Sequence, residues 1–340
     1  MNNPSPDVSL IIINYNGLRH LKDCFNSIKK TSYPFENIDT IMVDNASTDG
    51  SIEYVKESYP WVRVLALDKN YGFAKANNIG AENAKGEYIV FLNNDTVVDS
   101  NWLAPLVDVM KGNKDVGIAG SKILLYDNQE KINSAGARIT FMGGGYDIGF
   151  LDNDSGKYNV PGYRASICAA AMIVRKNEFL QSGGFDEDYF MYFEDVDLCW
   201  RYWLYGKRIE YIPASIVCHK FGGTSGKERH APLRVFYGTR NSLFNIVKNY
   251  EPRNIFLALM AALSFHGLKT LCFLAMLEFS SVFSMIRAYR SFVIKLPIIL
   301  KRRSIIQKRR KVKDEYLFEN SIISPVSADI KEFRRLFKAK

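Results

Sequence analysis

The sequence predicts an α/β fold with a mostly parallel sheet flanked by helices. Two patterns predict it. Apolar runs of strand length alternate with amphipathic stretches of helical spacing between residues 8 and 110, and acidic or amide residues stand where several of those runs end. Strand–helix alternation implies right-handed βαβ units. In open sheets of that kind, ligands bind beyond the carboxyl ends of the strands. The 340 residues suffice for one large α/β domain and an appendage.

Residues 8–13 form a continuous apolar run and read as the first strand. Residues 18–30 carry Leu21, Cys24, Phe25 and Ile28 at helical spacing. Strands follow at 38–43, 62–67 and 88–92, with helices at 51–58, 75–84 and 102–110 between and after them. The pattern breaks over 126–164, which is rich in Gly, Asn, Asp and Tyr and contains the run Gly143-Gly144-Gly145. This segment reads as a long loop or a set of short strands, and long loops in compact domains often carry function. Strand resumes at 168–174, helix at 176–181 and a turn at Gly183-Gly184; short strands are expected at 208–212 and 215–218.

Three acidic positions stand out. Asp44 ends the run 41–43 and opens DNASTDG, which is also good turn chemistry. Asp95 closes Asn93-Asn94-Asp95 after the run 88–92. The stretch EDVDLCWR (194–201) packs Glu194, Asp195 and Asp197 into four positions at a helix start, behind the aromatic run 189–193. Acids stabilise a helix N-terminus and should remain ionised there. That accounts for one such acid without requiring three.

These residues carry a resemblance. The motifs SLIIINYNG (9–17), VDNASTDGS (43–51), NYGFAKANNIG (70–80), FLNNDT (91–96), GGFDEDYFMYFEDVDLCWR (183–201) and HKFGGTS (219–225) run in order over roughly the first 240 residues. They resemble family 2 glycosyltransferases of the GT-A fold, and above all the rhamnosyltransferase-like branch. The resemblance implies that Asp44 contacts the donor base. It implies that Asn14, Asn16, Asn70 and Asn77 line the nucleotide pocket, with Asn94 beside them. It equates Asp95 with the last acid of the family's DXD motif, which reads NND here and offers one carboxylate. One carboxylate with substrate phosphates and waters suits Mg²⁺; a nitrogen ligand from His219 favours Mn²⁺. The resemblance makes Asp195 the general base, with Glu194 orienting it. Arg240, after the core, could bind leaving-group phosphate, or stand on the surface.

Net charge is +9, unevenly placed. Residues 287–340 hold 16 Lys and Arg against 5 Asp and Glu, leaving 29 basic and 31 acidic residues in the rest. The apolar stretch 255–286 is interrupted by His266, Lys269 and Glu278 and reads as two helices at a membrane interface or against the core. The basic cluster 301–313 beside it suits anionic headgroups. It lacks the interleaved aromatics of a nucleic-acid site. Five scattered cysteines without a CxxC pair, and no signal-peptide pattern at the start, fit reduced thiols in a cytoplasmic setting.

The expectation is therefore a catalytic domain over 1–240 and a helical membrane-associating region over 241–340. The chain would transfer a sugar, rhamnose from dTDP-rhamnose by analogy, to a hydroxyl of a glycan or lipid-linked acceptor. It would do so with inversion and a divalent metal, on the inner face of the cell membrane. A non-catalytic nucleotide-sugar-binding scaffold and a nucleotidyltransferase are the rival readings.

Overall fold

A computed structural model describes residues 6–220, 231–328, 330 and 331. In chain order the first half comprises β1 (Val8–Asn14), α1 (Leu18–Lys29), β2 (Ile38–Asp44), α2 (Ser51–Ser58), β3 (Val62–Ala66), α3 (Gly72–Asn83), β4 (Tyr88–Asn93), β5 (Thr96–Val98), α4 (Leu103–Gly112) and β6 (Val116–Leu125). There follow β7 (Asn128–Ser134), β8 (Ala137–Thr140), β9 (Gly145–Asp147), β10 (Gly162–Tyr163), β11 (Ala171–Arg175), α5 (Lys176–Ser182), α6 (Glu194–Leu204) and β12 (Arg208–His219). The chain ends with α7 (Pro232–Asn249), α8 (Pro252–Ala275), α9 (Phe279–Arg309), α10 (Asp314–Glu319) and β13 (Ile323–Ser324).

The main sheet runs β10-β12-β6-β11-β4-β1-β2-β3. β3, β2, β1 and β4 are parallel, β11 is reversed between β4 and β6, and β6 and β12 are again parallel. Both faces of the strands are apolar because both are covered. Leu10, Ile12, Met42 and Val90 pack beneath α1 and α4, while Ile11, Ile41, Val43 and Phe91 pack beneath α3, α5 and α6.

Three elements differ from the sequence expectation. β6 had no expected counterpart. Gly117 and Gly120 dilute its pattern, yet a Cβ on Gly120 would lie 2.0 Å from Ile167, so close packing demands the glycine. The two strands expected between 208 and 218 are one strand with an irregularity between Ile212 and Ile216, where Pro213 has no N–H to give. Segment 126–164 is a set of short strands, and β13 returns from the C-terminal region to make a three-stranded sheet with β8 and β9. The boundary expected at residue 240 falls inside α7, whose residues 239–249 are buried throughout.

A buried ion cluster fastens these layers. Lys248 on α7 is fully buried and reaches Asp186 as well as Asp197 on α6, the latter at 2.8 Å. Arg201 Nε donates to Asp197 at 2.9 Å and its other nitrogens to the carbonyls of Ser182 and Gly184. Burial alone would raise the Asp197 carboxyl, but Lys248 and Arg201 outweigh it and hold it down at about 2.

α9 packs along α7 and closes its end. Arg303 donates to the carbonyls of Val247 and Tyr250 at 2.7 and 2.6 Å, Gln307 to that of Lys248, and Arg310 to that of Asn249. Part of the basic run expected to face lipid is thus spent inside the protein, on carbonyls that α7 leaves unpaired.

Lys248→Met would leave Asp186 and Asp197 buried without their shared cation. Losing one partner of a buried pair costs about 3–5 kcal/mol, so the urea midpoint at neutral pH should fall sharply; an unchanged midpoint would remove the cluster from the account of stability. Because the Asp197 pKa is depressed in the folded state, its contribution is complete above the unfolded value of about 3.9 and disappears as pH falls towards about 2.

Candidate active site

Strand register brings the polar strand ends together. Asn14 lies opposite Asp44 across β1 and β2, and Ile13 opposite Asn93 across β1 and β4. Asn14 Nδ2 donates to Asp44 Oδ2 at 2.8 Å, and Asn14 Oδ1 accepts from Asn94 Nδ2 at 2.8 Å. Asp44 Oδ1 accepts from the Ser47 amide at 2.7 Å. Both Asn14 and Asp44 are fully buried and stand behind the wall of the adjoining cavity, where Asn45, Asn70, Asn93 and Asn94 line it. Asn16 has φ 49° and is exposed; its Oδ1 accepts from Thr48 N and so shapes the β2–α2 loop.

Two expected residues lie elsewhere. Asn77 is buried within α3, with Nδ2 donating to the Phe73 carbonyl at 3.0 Å, and does not reach the cavity. Arg240 also lies off the wall. Its guanidinium is buried, donates to the carbonyls of Asp188 and Tyr189, and lies over the rings of Tyr237 and Phe244. Helix phase turns it into the core, and the cation that α7 presents to the cavity is Arg234, one helical stretch earlier.

The cavity measures about 610 Å³ and is lined by strand ends, by β9, by the aromatic segment 190–193 and by α6, α7 and α8. Its size is that of a small-molecule site. Phe190, Tyr192 and Phe193 all have φ between 64° and 67°, a conformation that costs side-chain-bearing residues energy. Phe190 is held there by the N-terminus of α3, since its carbonyl accepts from the Phe73 amide at 2.7 Å.

On the strand-end wall, Asp95 Oδ1 lies 3.1 Å from His219 Nε2. Burial would raise the Asp95 carboxyl, but the imidazole outweighs it and holds it below the ordinary carboxylate range. His219 Nδ1 lies 2.8 Å from Asn133 Oδ1, which can only accept, so Nδ1 donates there and Nε2 is the nitrogen turned towards Asp95. The amide of Asn93 also lies near Nε2, at 3.5 Å. A buried carboxylate oxygen and an imidazole nitrogen thus stand side by side on this wall. That arrangement fits a divalent cation shared by Asp95 and His219. No group of three or more potential ligands occurs among the described residues, so the remaining positions would go to phosphate and water. The Gly222-Gly223 turn expected after His219 lies outside the described residues.

On the α6 wall, Asp195 accepts from the amides of Val196 at 2.8 Å and Ala169 at 3.3 Å. Burial nevertheless raises its pKa. Glu194 is raised much further, by burial and by the adjacent Asp195, and its buried Oε2 has no hydrogen-bond partner. The expectation that both acids stay ionised at a helix N-terminus thus fails for Glu194: desolvation exceeds the terminus effect. Of the pair, Asp195 is the one that ionises.

Sequence reasoning missed Asp147, Asn133, Arg234, His266 and Lys269. Asp147 lies on β9 in the segment read as a long loop or a set of short strands, where burial first and then the Asp195 charge push its carboxyl up to about 6. The Gly143-Gly144-Gly145 run beside it serves packing: a Cβ on Gly143 would lie 2.2 Å from the Ser242 carbonyl, and one on Gly145 2.8 Å from Val196.

Comparison with known proteins places this geometry. Residues 9–177 match the model of glycosyl transferase family 2. The chain is 30 % identical over 164 residues to the rhamnosyltransferase WbbL of Escherichia coli, covering 44 % of this chain and 61 % of that one. It is 25 % identical over 263 residues to the dTDP-rhamnosyl transferase RfbF of Shigella flexneri, covering 72 % and 82 %. The match covers 34–43 % of three other curated relatives. Among solved structures, the mannosyltransferase PcManGT of Pyrobaculum calidifontis, in complex with GDP-Man and Mn²⁺, superposes with a TM-score of 0.53 at 17 % identity over 86 % of this chain and 87 % of that one. That likeness establishes the GT-A fold. With this fold and the family model matched from β1 to α5, residues 9–177 form a glycosyl transferase family 2 domain.

Proposed function

We propose that the protein is an inverting glycosyltransferase that moves a sugar from a nucleotide-sugar to an acceptor hydroxyl. One observation carries the reading: a single cavity has an ionisable, unpaired-by-cation carboxylate, Asp195, on one wall and the Asp95–His219 pair on another. Asp195 accepts the proton of the acceptor hydroxyl as its oxygen bonds to the anomeric carbon. The bond from that carbon to the donor phosphate breaks on the opposite side, so configuration inverts and a nucleoside diphosphate leaves. Burial favours this chemistry because a carboxylate with a raised pKa is a stronger base. The two backbone amides keep it aimed. Burial and the Asp195 charge disfavour ionisation of Glu194 beside it, which keeps a second charge from the site. A divalent cation bound by Asp95 and His219 would stabilise charge on the departing diphosphate.

The names of WbbL and RfbF favour a dTDP-rhamnose donor. A nucleotidyltransferase would release pyrophosphate instead of a nucleoside diphosphate, and a scaffold would turn over nothing. We place the protein on an anionic membrane surface, facing the cytoplasm. α8 is long and apolar enough to cross a membrane and is mostly unburied, but one of its faces packs against α7 and α9, which favours lying on the surface. Lys301, Lys308, Lys311 and Lys313 remain exposed.

Asp195→Asn should lower turnover by about 10²–10⁴-fold while donor binding persists. Glu194→Gln should retain most of it, and the reverse outcome exchanges their roles. In the parent protein, kcat should decline as pH falls through an Asp195 pKa above the ordinary value of about 3.9.

Chelation by EDTA should abolish transfer, and Mn²⁺ titrated into the protein should bind more weakly to Asp95→Ala and His219→Ala. Asn133→Leu, which frees the imidazole to turn, should cost about 10–100-fold in metal affinity. Full turnover in EDTA would end the metal assignment.

Anionic vesicles should bind the protein better than neutral ones, and high salt should release it only in part. Each Lys contributes about 1 kcal/mol at such a surface, so replacing Lys301, Lys308, Lys311 and Lys313 with Gln should weaken binding at least about tenfold. Equal binding to both vesicle types would dispose of the electrostatic attraction.

A further inference from the structure

α8 has two chemically different faces. Outward it presents Phe256, Met260, Leu263, Leu268 and Leu271, each between 46 % and 69 % exposed. Inward it buries Ala258, Ala262, His266 and Phe273, and it contributes Phe265, His266 and Lys269 to the wall of the cavity that holds Asp195. The helix is therefore a partition one residue thick between the reaction cavity and an apolar outer surface. A lysine and a histidine are costly to bury in such a partition, and neither stands at the strand ends.

Lys269 is the less explained of the two. Its nearest recorded contact is the Phe273 ring, 5.6 Å from Nζ. Among the described residues no acid offsets its burial, which by itself pushes its ammonium down to about 8. His266 Nδ1 lies 2.7 Å from the Tyr289 hydroxyl, and burial first, then the charge of Lys269, push its imidazole down to about 4, so it stands here as a neutral hydrogen-bonding group. Arg234 on α7 faces the same cavity over the ring of Tyr192. The carboxyls of this cavity come from the strand ends, α6 and β9, whereas Arg234 comes from α7 and Lys269 from α8. An acceptor that filled it would meet a base at one end and positive charge beside an apolar surface at the other.

We propose that Lys269, with His266 and Arg234, forms a subsite for the phosphate or diphosphate of an amphiphilic acceptor whose apolar chain lies along the outer face of α8. The assignment rests on the transferase reading above and names its acceptor class. A lysine ammonium binds phosphate as a point charge, and an anion bound there would supply a counter-charge that the described residues do not. The acceptor sugar, attached to that phosphate, would extend inward to Asp195. The same phosphate chemistry could come from bulk phospholipid headgroups, and the test separates the two.

The full chain is titrated calorimetrically in metal-free buffer with EDTA, so that no cation at Asp95 and His219 takes part. The probes are farnesyl diphosphate, farnesol and inorganic pyrophosphate. Farnesyl diphosphate should bind more tightly than either of the others, because only it engages both the cations and the apolar face. Lys269→Met should weaken it by about tenfold or more, the effect of losing a charged contact. Lys269→Arg should restore most of that loss, and thermal midpoints should show both variants folded. Unchanged affinity in Lys269→Met overturns the proposal, as does equal loss in Lys269→Arg. If Lys269→Met loses as much affinity for phosphatidylglycerol vesicles as for farnesyl diphosphate, the site serves bulk headgroups and the acceptor assignment is overturned. This binding requires neither donor nor metal, so its failure is separate from an absence of nucleotide-sugar turnover, which would strike the transferase reading itself.

Discussion

The ammonium of Lys248 is the constraint on which the catalytic wall depends. It is fully buried and bridges Asp186, ahead of the aromatic segment, to Asp197 in the first turn of α6. A charge in that position tolerates little displacement, because each ångström lost to its partners leaves desolvation uncompensated. The consequence reaches Asp195 two residues earlier on the same turn. α6 cannot shift against α7 without breaking the cluster, so Asp195 keeps its place on the cavity wall. Asn241 adds to this by donating to the carbonyls of Met191 and Tyr192, which pins the left-handed aromatic segment to α7.

Much of the strand-end wall was legible in the sequence. Apolar runs that end in Asn14, Asp44 and Asn93 fix both the strands and their polar ends, and parallel register then makes neighbours of them. Depth was not legible. Asn14 and Asp44 satisfy each other behind the wall, whereas Asn45 and Asn94, of similar chemistry and one position along, reach the cavity. Helical residues were harder still. A single step along a helix turns a side chain by about a quarter of the circle, so Asn77 and Arg240 sit in the right elements and face the wrong way.

The missed residues share a different cause. Asp147 and Asn133 stand on short strands of a segment without periodicity, and those strands exist because distant partners complete them, β13 beside β8 and β6 beside β7. His266 and Lys269 interrupt an apolar stretch, where they read only as flaws in a membrane pattern. What gives them meaning is the packing of α8 over the cavity, a long-range fact that local spacing does not encode. Similarly, the acids at the start of α6 looked alike in sequence, but their surroundings separate them: burial and Asp195 push Glu194 furthest up, burial raises Asp195, and Lys248 and Arg201 hold Asp197 down.

The basic run near the C-terminus shows the same division within one composition. Its arginines and lysines carry equal charge, yet they do different work. Arg303 and Arg310 insert planar guanidinium groups among the last carbonyls of α7, and Arg309 reaches the Gln181 carbonyl while lying over the Tyr205 ring. A guanidinium offers several donors in a fixed fork and is weakly hydrated, which suits it to capturing several carbonyls at once. These contacts place positive charge where the α7 dipole is negative and hold α9 to the catalytic domain. Lys301, Lys308, Lys311 and Lys313 stay at the surface, where a strongly hydrated ammonium on a flexible stem is cheapest to keep. One segment can therefore fasten the fold with its arginines and leave its lysines to meet an anionic surface. Charge counts alone would assign both to the membrane and miss the fastening.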